Sequence, residues 1–301
     1  MIALLLGAVC IGFAPVLVRL SDVGPVASAF WRVALAAPVL WLLVALVARR
    51  AAGGAATGPP AARTDAVAAP PAARLWSAAV LLSGLFFAAD LATWHVSIQL
   101  TTVANATLLA NCAVLLATLH AVLIQRRIPP PLYFVALTLA VGGALALTAP
   151  RAGSAGHWRG DLLALLAAVL YTGYLVTVKH ASRRHGTLPL MAASTTITAV
   201  ALAPVALLLS LRAHQPFWPT QPRGWWVLLA LALLTQVAGQ GLIARALARL
   251  SVTLSTTGLL LQPVVAAAVA WGLFGESLRS SQIAGALALM LGIWLARRSE
   301  A

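Results

Sequence analysis

The 301-residue chain is 61% hydrophobic and 9% charged, with a formal net charge of +14. Soluble domains carry about 25% charged residues, so a water-soluble fold is excluded, whereas a lipid solvent lets apolar side chains face outward as well as inward. The cations sit at the ends of apolar runs, not in stripes with interleaved aromatics, which sets nucleic acid aside as a partner and points to membrane orientation.

A helix crosses the hydrocarbon core in ~20 apolar residues. Runs of about that length predict ten transmembrane helices, near 2–19, 26–48, 75–96, 103–124, 131–149, 160–178, 188–211, 224–247, 252–274 and 280–296. The first run starts without a basic n-region and is predicted to be a retained helix, not a signal peptide. Its cysteine, Cys10, and Cys112 in the fourth run are read as small apolar residues; with no CxxC or HExxH spacing, neither metal nor cofactor is expected.

Arg32 lies inside the second run. It either contacts a substrate carboxylate or is a packing or snorkelling arginine. The segment 49–74, rich in Ala, Pro and Gly, is predicted as a flexible cytoplasmic linker. The third run carries Asp90, the only acid well inside a span, where a charge costs ~2.5–3.5 kcal/mol at the helix centre. Asp90 binds a cationic group or takes up a proton, or it pairs structurally with Arg32 or with polar groups of helix four. Trp94, four residues on, shares its helical face and is a candidate to pack an apolar part of the solute. His95 here and His120 in the fourth run are proton-relay candidates, against ordinary hydrogen bonding between helices.

Asn105 and Asn111, six apart in the fourth run, do not share one face well, so one is expected at a cavity and the other on a neighbouring helix. Tyr171 and Tyr174 in the sixth run do share a face, as core or as cavity wall. Gln236 and Gln240 in the eighth run are further cavity candidates, because Gln240 is offset from Asp90 by 150 residues. Gln262-Pro263 loosens the ninth helix, where proline removes a hydrogen bond, as a gating hinge or a static kink. Glu276 is expected at the external membrane edge near Arg279.

Trp76, Trp158, Trp218, Trp225 and Trp226 fall at span ends, as an interfacial belt does. Thirteen Lys and Arg, from Arg49 and Arg50 through Arg297 and Arg298, fall on one set of alternate loops, and six fall on the other. Both termini are therefore expected in the cytoplasm. The halves 1–149 and 150–301 resemble each other: over 250–296 against 100–146, twelve of forty-seven pairs are identical, among them Thr257/Thr107 and Gly292/Gly142. Two five-helix units in one chain must be oppositely oriented, which predicts an all-α membrane protein of two inverted five-helix repeats around a central cavity.

The stretch Val23-Gly24-Pro25-Val26-Ala27-Ser28-Ala29-Phe30-Trp31-Arg32 resembles the start of the second helix of the EamA family, in the drug/metabolite transporter superfamily. Thr102 to Asn111 resembles its fourth helix. Gln262-Pro263, Leu273-Phe274-Gly275-Glu276-Ser277-Leu278 and Gln282-Ile283-Ala284-Gly285 are similar to its ninth-to-tenth helix signature. The resemblance implies ten helices, a central cavity, and export of metabolites or amino acids. The first half departs from it, with Arg126-Arg127-Ile128 where the second has Glu276-Ser277-Leu278. The expected partners are a small-molecule solute and the lipid bilayer, with monomer and homodimer both open; the expected location is a bacterial inner membrane. A membrane-embedded transferase would need a nucleophile–base pair, paired acids or metal ligands at span depth, and the sequence offers none of these patterns there. A receptor or assembly subunit without transport would have no central hydrophilic cavity.

Overall fold

The computed structural model describes residues 1–57, 76–101, 103–148, 158–274 and 280–299. Among them the chain is all helix, with no strand. The first half gives α1 (Ile2–Gly12), α2 (Ala14–Leu20), α3 (Pro25–Thr57), α4 (Ala78–Leu100), α5 (Val103–Ala110), α6 (Ala113–Leu123) and α7 (Pro131–Thr148). The second gives α8 (Trp158–Ala181), α9 (Thr187–Arg212), α10 (Pro222–Ala230), a π-helical segment (Leu231–Gln240), α11 (Gly241–Leu247), α12 (Val252–Leu259), α13 (Leu261–Phe274) and α14 (Ser280–Ser299).

Eight stretches among the described residues are long and apolar enough to cross a membrane, where ten runs were expected. The remaining two, Ala113–Leu123 and Pro131–Ala146, fall short. The 103–124 run is interrupted because the backbone tightens at Asn111-Cys112: Cys112 N–H bonds Leu109 O at 3.0 Å and Val114 N–H bonds Asn111 O at 3.2 Å, both three residues back. The next run starts abruptly because Pro129-Pro130-Pro131 cannot extend a helix backward, although proline is well placed at its first position. The second run is longer than expected, since Ala-rich sequence carries α3 on to Thr57.

Outer faces are apolar, with Leu42, Val135, Val200 and Leu287 each more than half exposed. That is tolerable against lipid and not against water. Inside, small residues let backbones approach closely, as van der Waals packing between membrane helices requires. The α7–α14 pair shows it: a Cβ on Gly143 would lie 2.5 Å from the Gly285 carbonyl oxygen, whereas one on Gly142 would meet nothing within 4 Å. Helix α3 packs along α9, α4 along α8, and α1 against the π segment and α11. Side-chain bonds stitch these neighbours together. Tyr133 Oη lies 3.1 Å from both Thr118 Oγ1 and Thr257 Oγ1, and Ser83 donates to Ser194 at 3.1 Å.

At one end of the bundle the turn before α3 is tied to the segment before α10. Asp22 Oδ2 accepts from Thr220 N (2.9 Å), Thr220 Oγ1 (3.0 Å) and Gln221 N (3.1 Å). Gly24 N–H bonds Pro216 O, and the Trp31 indole bonds Phe217 O. Phe30, Trp31, Phe217, Trp218 and Trp225 stack around these bonds. The carboxylate thus stands beside the positive N-terminus of α10. Partial burial raises its pKa, but the bonds from Thr220 and Gln221 outweigh that and hold it below the usual carboxylate range.

Candidate functional site

Three helix interruptions and the end of the π segment meet at one place. Phe13, between α1 and α2, is followed by Pro15; Asn111 and Cys112 separate α5 from α6; Leu260 separates α12 from α13, three residues before Pro263. Proline has no N–H to give the carbonyl four residues back, so each Pro-bearing helix loses a rung there. Leu260 N–H bonds Thr257 O at 3.2 Å, a tighter turn than an α-helix makes. Broken and π-helical segments recur at membrane-protein binding sites, because backbone irregularity is tolerated only against protein or a polar cavity.

A cavity of about 100 Å³ lies at this meeting point. Ala14 and Pro15, Ala110 and Asn111, and Leu259 and Gln262 border it from the three breaks, and Gln240 from the end of the π segment. Arg32 of α3, Asp90 and Trp94 of α4, and Tyr171 of α8 complete its polar wall, while Phe87, Leu91 and Val114 give apolar surface. The volume admits several waters or a small solute of a few heavy atoms.

The polar wall is conspicuously unfinished. Thr107, Asn111, Tyr171 and Gln240 line the cavity, and their buried Oγ1, Nδ2, Oη and Oε1 atoms have no well-formed hydrogen bond among the described residues, although Tyr171 and Gln240 neighbour each other. A buried polar atom left unpaired costs ~1–3 kcal/mol, so four around one space mark a place where a polar guest supplies the missing bonds. The repeat mates Thr107 and Thr257 differ here, because Thr257 is engaged with Tyr133 while Thr107 Oγ1 is unpartnered.

Arg32 is 3% exposed and held from behind. Its Nε–H donates to Gln236 Oε1 at 3.1 Å, and Gln236 Nε2 donates to Thr195 Oγ1 at 3.2 Å. The guanidinium carbon lies 5.8 Å over the Phe87 ring, a cation–π contact. Asp90 is 8% exposed, and its carboxylate makes no hydrogen bond or close ion pair among the described residues. Arg32 is the cation whose field reaches it.

The structure therefore brings Arg32, Asp90, Trp94, Asn111, Tyr171 and Gln240 together at the cavity, and sets other sequence candidates outside it. Gln236 stands behind the wall as the partner of Arg32. Tyr174 stacks between Tyr171 and Phe87, with its hydroxyl 3.9 Å from Met191 Sδ. His95 is fully buried, its Nδ1 2.7 Å from the Leu91 carbonyl, and His120 is half-buried in the last turn of α6; neither lines the cavity. Pro263 is likewise absent from the wall, although its neighbour Gln262 is present. The Asn105 side chain and Glu276 lie outside the described residues. Sequence reasoning passed over Thr107, Thr256 and Phe87 as wall residues. Thr107 had a signal in the repeat identity with Thr257, whereas Phe87 and Thr256 had none.

Several long apolar helices around a cavity that carries Arg32 and Asp90 define an integral multi-pass membrane protein. The model of the EamA-like transporter family matches residues 158–298. That match, over somewhat less than half of the chain, supports an EamA-family member of the drug/metabolite transporter superfamily, a membrane transporter by type. No curated protein matches it. It is similar to a solved crystal structure at 20% identity and TM-score 0.74, covering 99% of each chain, a likeness of fold alone.

Proposed function

We propose that this protein exports small polar metabolites, such as amino acids or related compounds, by alternating access between two inverted five-helix repeats. The observation that carries the reading is the cavity, with Arg32, Asp90 and four unpartnered polar atoms at the junction of three broken helices. A non-transporting subunit would have no use for such a space. The helix pairing supports the repeat. Exchanging the halves maps α3–α9 and α7–α14 onto themselves and turns the α4–α8 contact into that of α1 with the π segment and α11. The breaks support it too, since Ala110 at the end of α5 and Leu260 after α12 are 150 residues apart. In this reading the interrupted 103–124 run and the short α7 are spans, which brings the count to ten.

The Lys and Arg asymmetry supports cytoplasmic termini in a bacterial inner membrane, and outward flux follows the resemblance to exporters. Asp90 is the proposed proton carrier, as the only acid well inside a span, with His95 and His120 as further relay candidates, Asn105 as a further wall residue, and Pro263 as the hinge candidate beside Gln262. The test is uphill transport in proteoliposomes under an imposed proton gradient. Loss of gradient-driven accumulation in Asp90→Asn, with exchange of solute retained, supports coupling at Asp90. Undiminished uphill transport by that variant removes Asp90 from the coupling role.

A further inference from the structure

Two unlike charges stand on one small cavity without touching. A structural ion pair in a low-dielectric interior gains only when its members meet with good geometry and further hydrogen bonds. Here the carboxylate of Asp90 has no direct partner among the described residues, although the Arg32 guanidinium faces the same space. Arg32 is instead anchored at Nε through Gln236 to Thr195, side chains of the π segment and α9. That grip leaves the terminal amino groups of Arg32, the edge suited to bidentate carboxylate binding, free of protein partners among the described residues.

Resting on the transporter reading, we propose that the cavity binds a small zwitterion lengthwise, its carboxylate on Arg32 and its ammonium group on Asp90, with an apolar remainder against Phe87, Leu91 and Trp94. The charge pattern selects the class. A solute carrying only an ammonium group would face an uncompensated Arg32, and one carrying only a carboxylate would leave Asp90 bare. A zwitterion neutralises both and closes the gap that the protein holds open. Tyr171 and Gln240, neighbours on the same wall, add a hydroxyl donor and an amide acceptor beside the two charges. No third charge stands on the wall, so a side chain bearing its own charge has no counterpart there.

The experiment uses the protein in detergent, with thermal stabilisation read against three probes that share the isobutyl carbon frame. L-Valine carries both charges, isobutylamine lacks the carboxylate, and isovalerate lacks the ammonium group. Wild type should be stabilised by valine, with either singly charged probe at least about 100-fold weaker, because a site built for a polar group rejects the analogue without it. Arg32→Gln should erase the preference of valine over isobutylamine, and Asp90→Asn the preference over isovalerate. The wild-type series alone keeps the proposal open to refutation should a variant fail to fold. Equal stabilisation by a singly charged probe overturns it, and so does no stabilisation by valine. Counterflow of the same probes in proteoliposomes separates the two readings: selective valine binding without movement sinks transport and leaves the zwitterion site, whereas movement of a singly charged probe sinks the zwitterion and leaves transport.

Discussion

Replacing Gln236 by leucine is the most direct probe of the wall that holds the cavity open. The substitution conserves bulk and removes two buried bonds at once, the 3.1 Å bond from Arg32 Nε and the 3.2 Å bond to Thr195 Oγ1. A hydrogen bond to a charged group is worth ~1.5–3 kcal/mol in general. Side-chain bonds between membrane helices measure less, ~0.6 kcal/mol on average and ~1.7 at most, because the membrane-embedded unfolded chain also finds partners. The lower scale governs here, so two lost bonds amount to about 1–2 kcal/mol. Thr195→Val removes only the outer bond and leaves Gln236 on Arg32, so it should cost less than half as much. The order matters more than the absolute size. Reversible unfolding in mixed micelles, followed by fluorescence, measures both variants and their double mutant. The double mutant should be no less stable than Gln236→Leu alone, since the outer bond is already gone. A Thr195→Val protein as destabilised as Gln236→Leu, or a Gln236→Leu protein with wild-type stability and wild-type solute binding, refutes the positioning role.

Two further expectations test the frame. Gly143→Ala should destabilise by ~1–3 kcal/mol, because its methyl group meets backbone atoms of Gly285 and Leu289 that cannot swing aside, whereas Gly142→Ala, facing open space, should leave the melting temperature unchanged or higher. Equal melting temperatures for the two variants would contradict the close α7–α14 approach. At the bundle end, Asp22→Ala should cost ~1–2 kcal/mol as a lost helix-terminal carboxylate. Its folded-state pKa is depressed, so its contribution is fully present above the unfolded value of about 3.9 and fades as the pH falls through the lower folded value. A difference between wild type and Asp22→Ala that is as large at pH 3 as at pH 7 would show that the carboxylate's charge contributes nothing.

Much of the wall was legible because a bilayer makes polarity conspicuous. Asp90, Arg32 and Gln240 stand out in apolar runs, and the offset of 150 residues pairs Asp90 with Gln240 before any fold is seen. Gln236 was legible as buried and polar but not as a second-rank support, because its partners Arg32 and Thr195 are 204 and 41 residues away. The two tyrosines show the same boundary. Helical spacing puts Tyr171 and Tyr174 on one face, yet only packing decides that the first meets the cavity and the second stacks on Phe87.

Composition and hydropathy by themselves determined the solvent, the all-helical class and the membrane-spanning character of most runs, since a chain with 9% charged residues can bury its backbone polar groups in lipid only as helices. They could not determine where those helices break. Proline at 263 hinted at one interruption, but the break at Phe13 was not read from the sequence, the one at Asn111-Cys112 has no proline, and the π segment contains no residue that demands it. Those features arise from the packing of helices distant in sequence. They gather Arg32 and Asp90 around one space, because local turn geometry yields wherever neighbouring helices satisfy or confine the freed backbone.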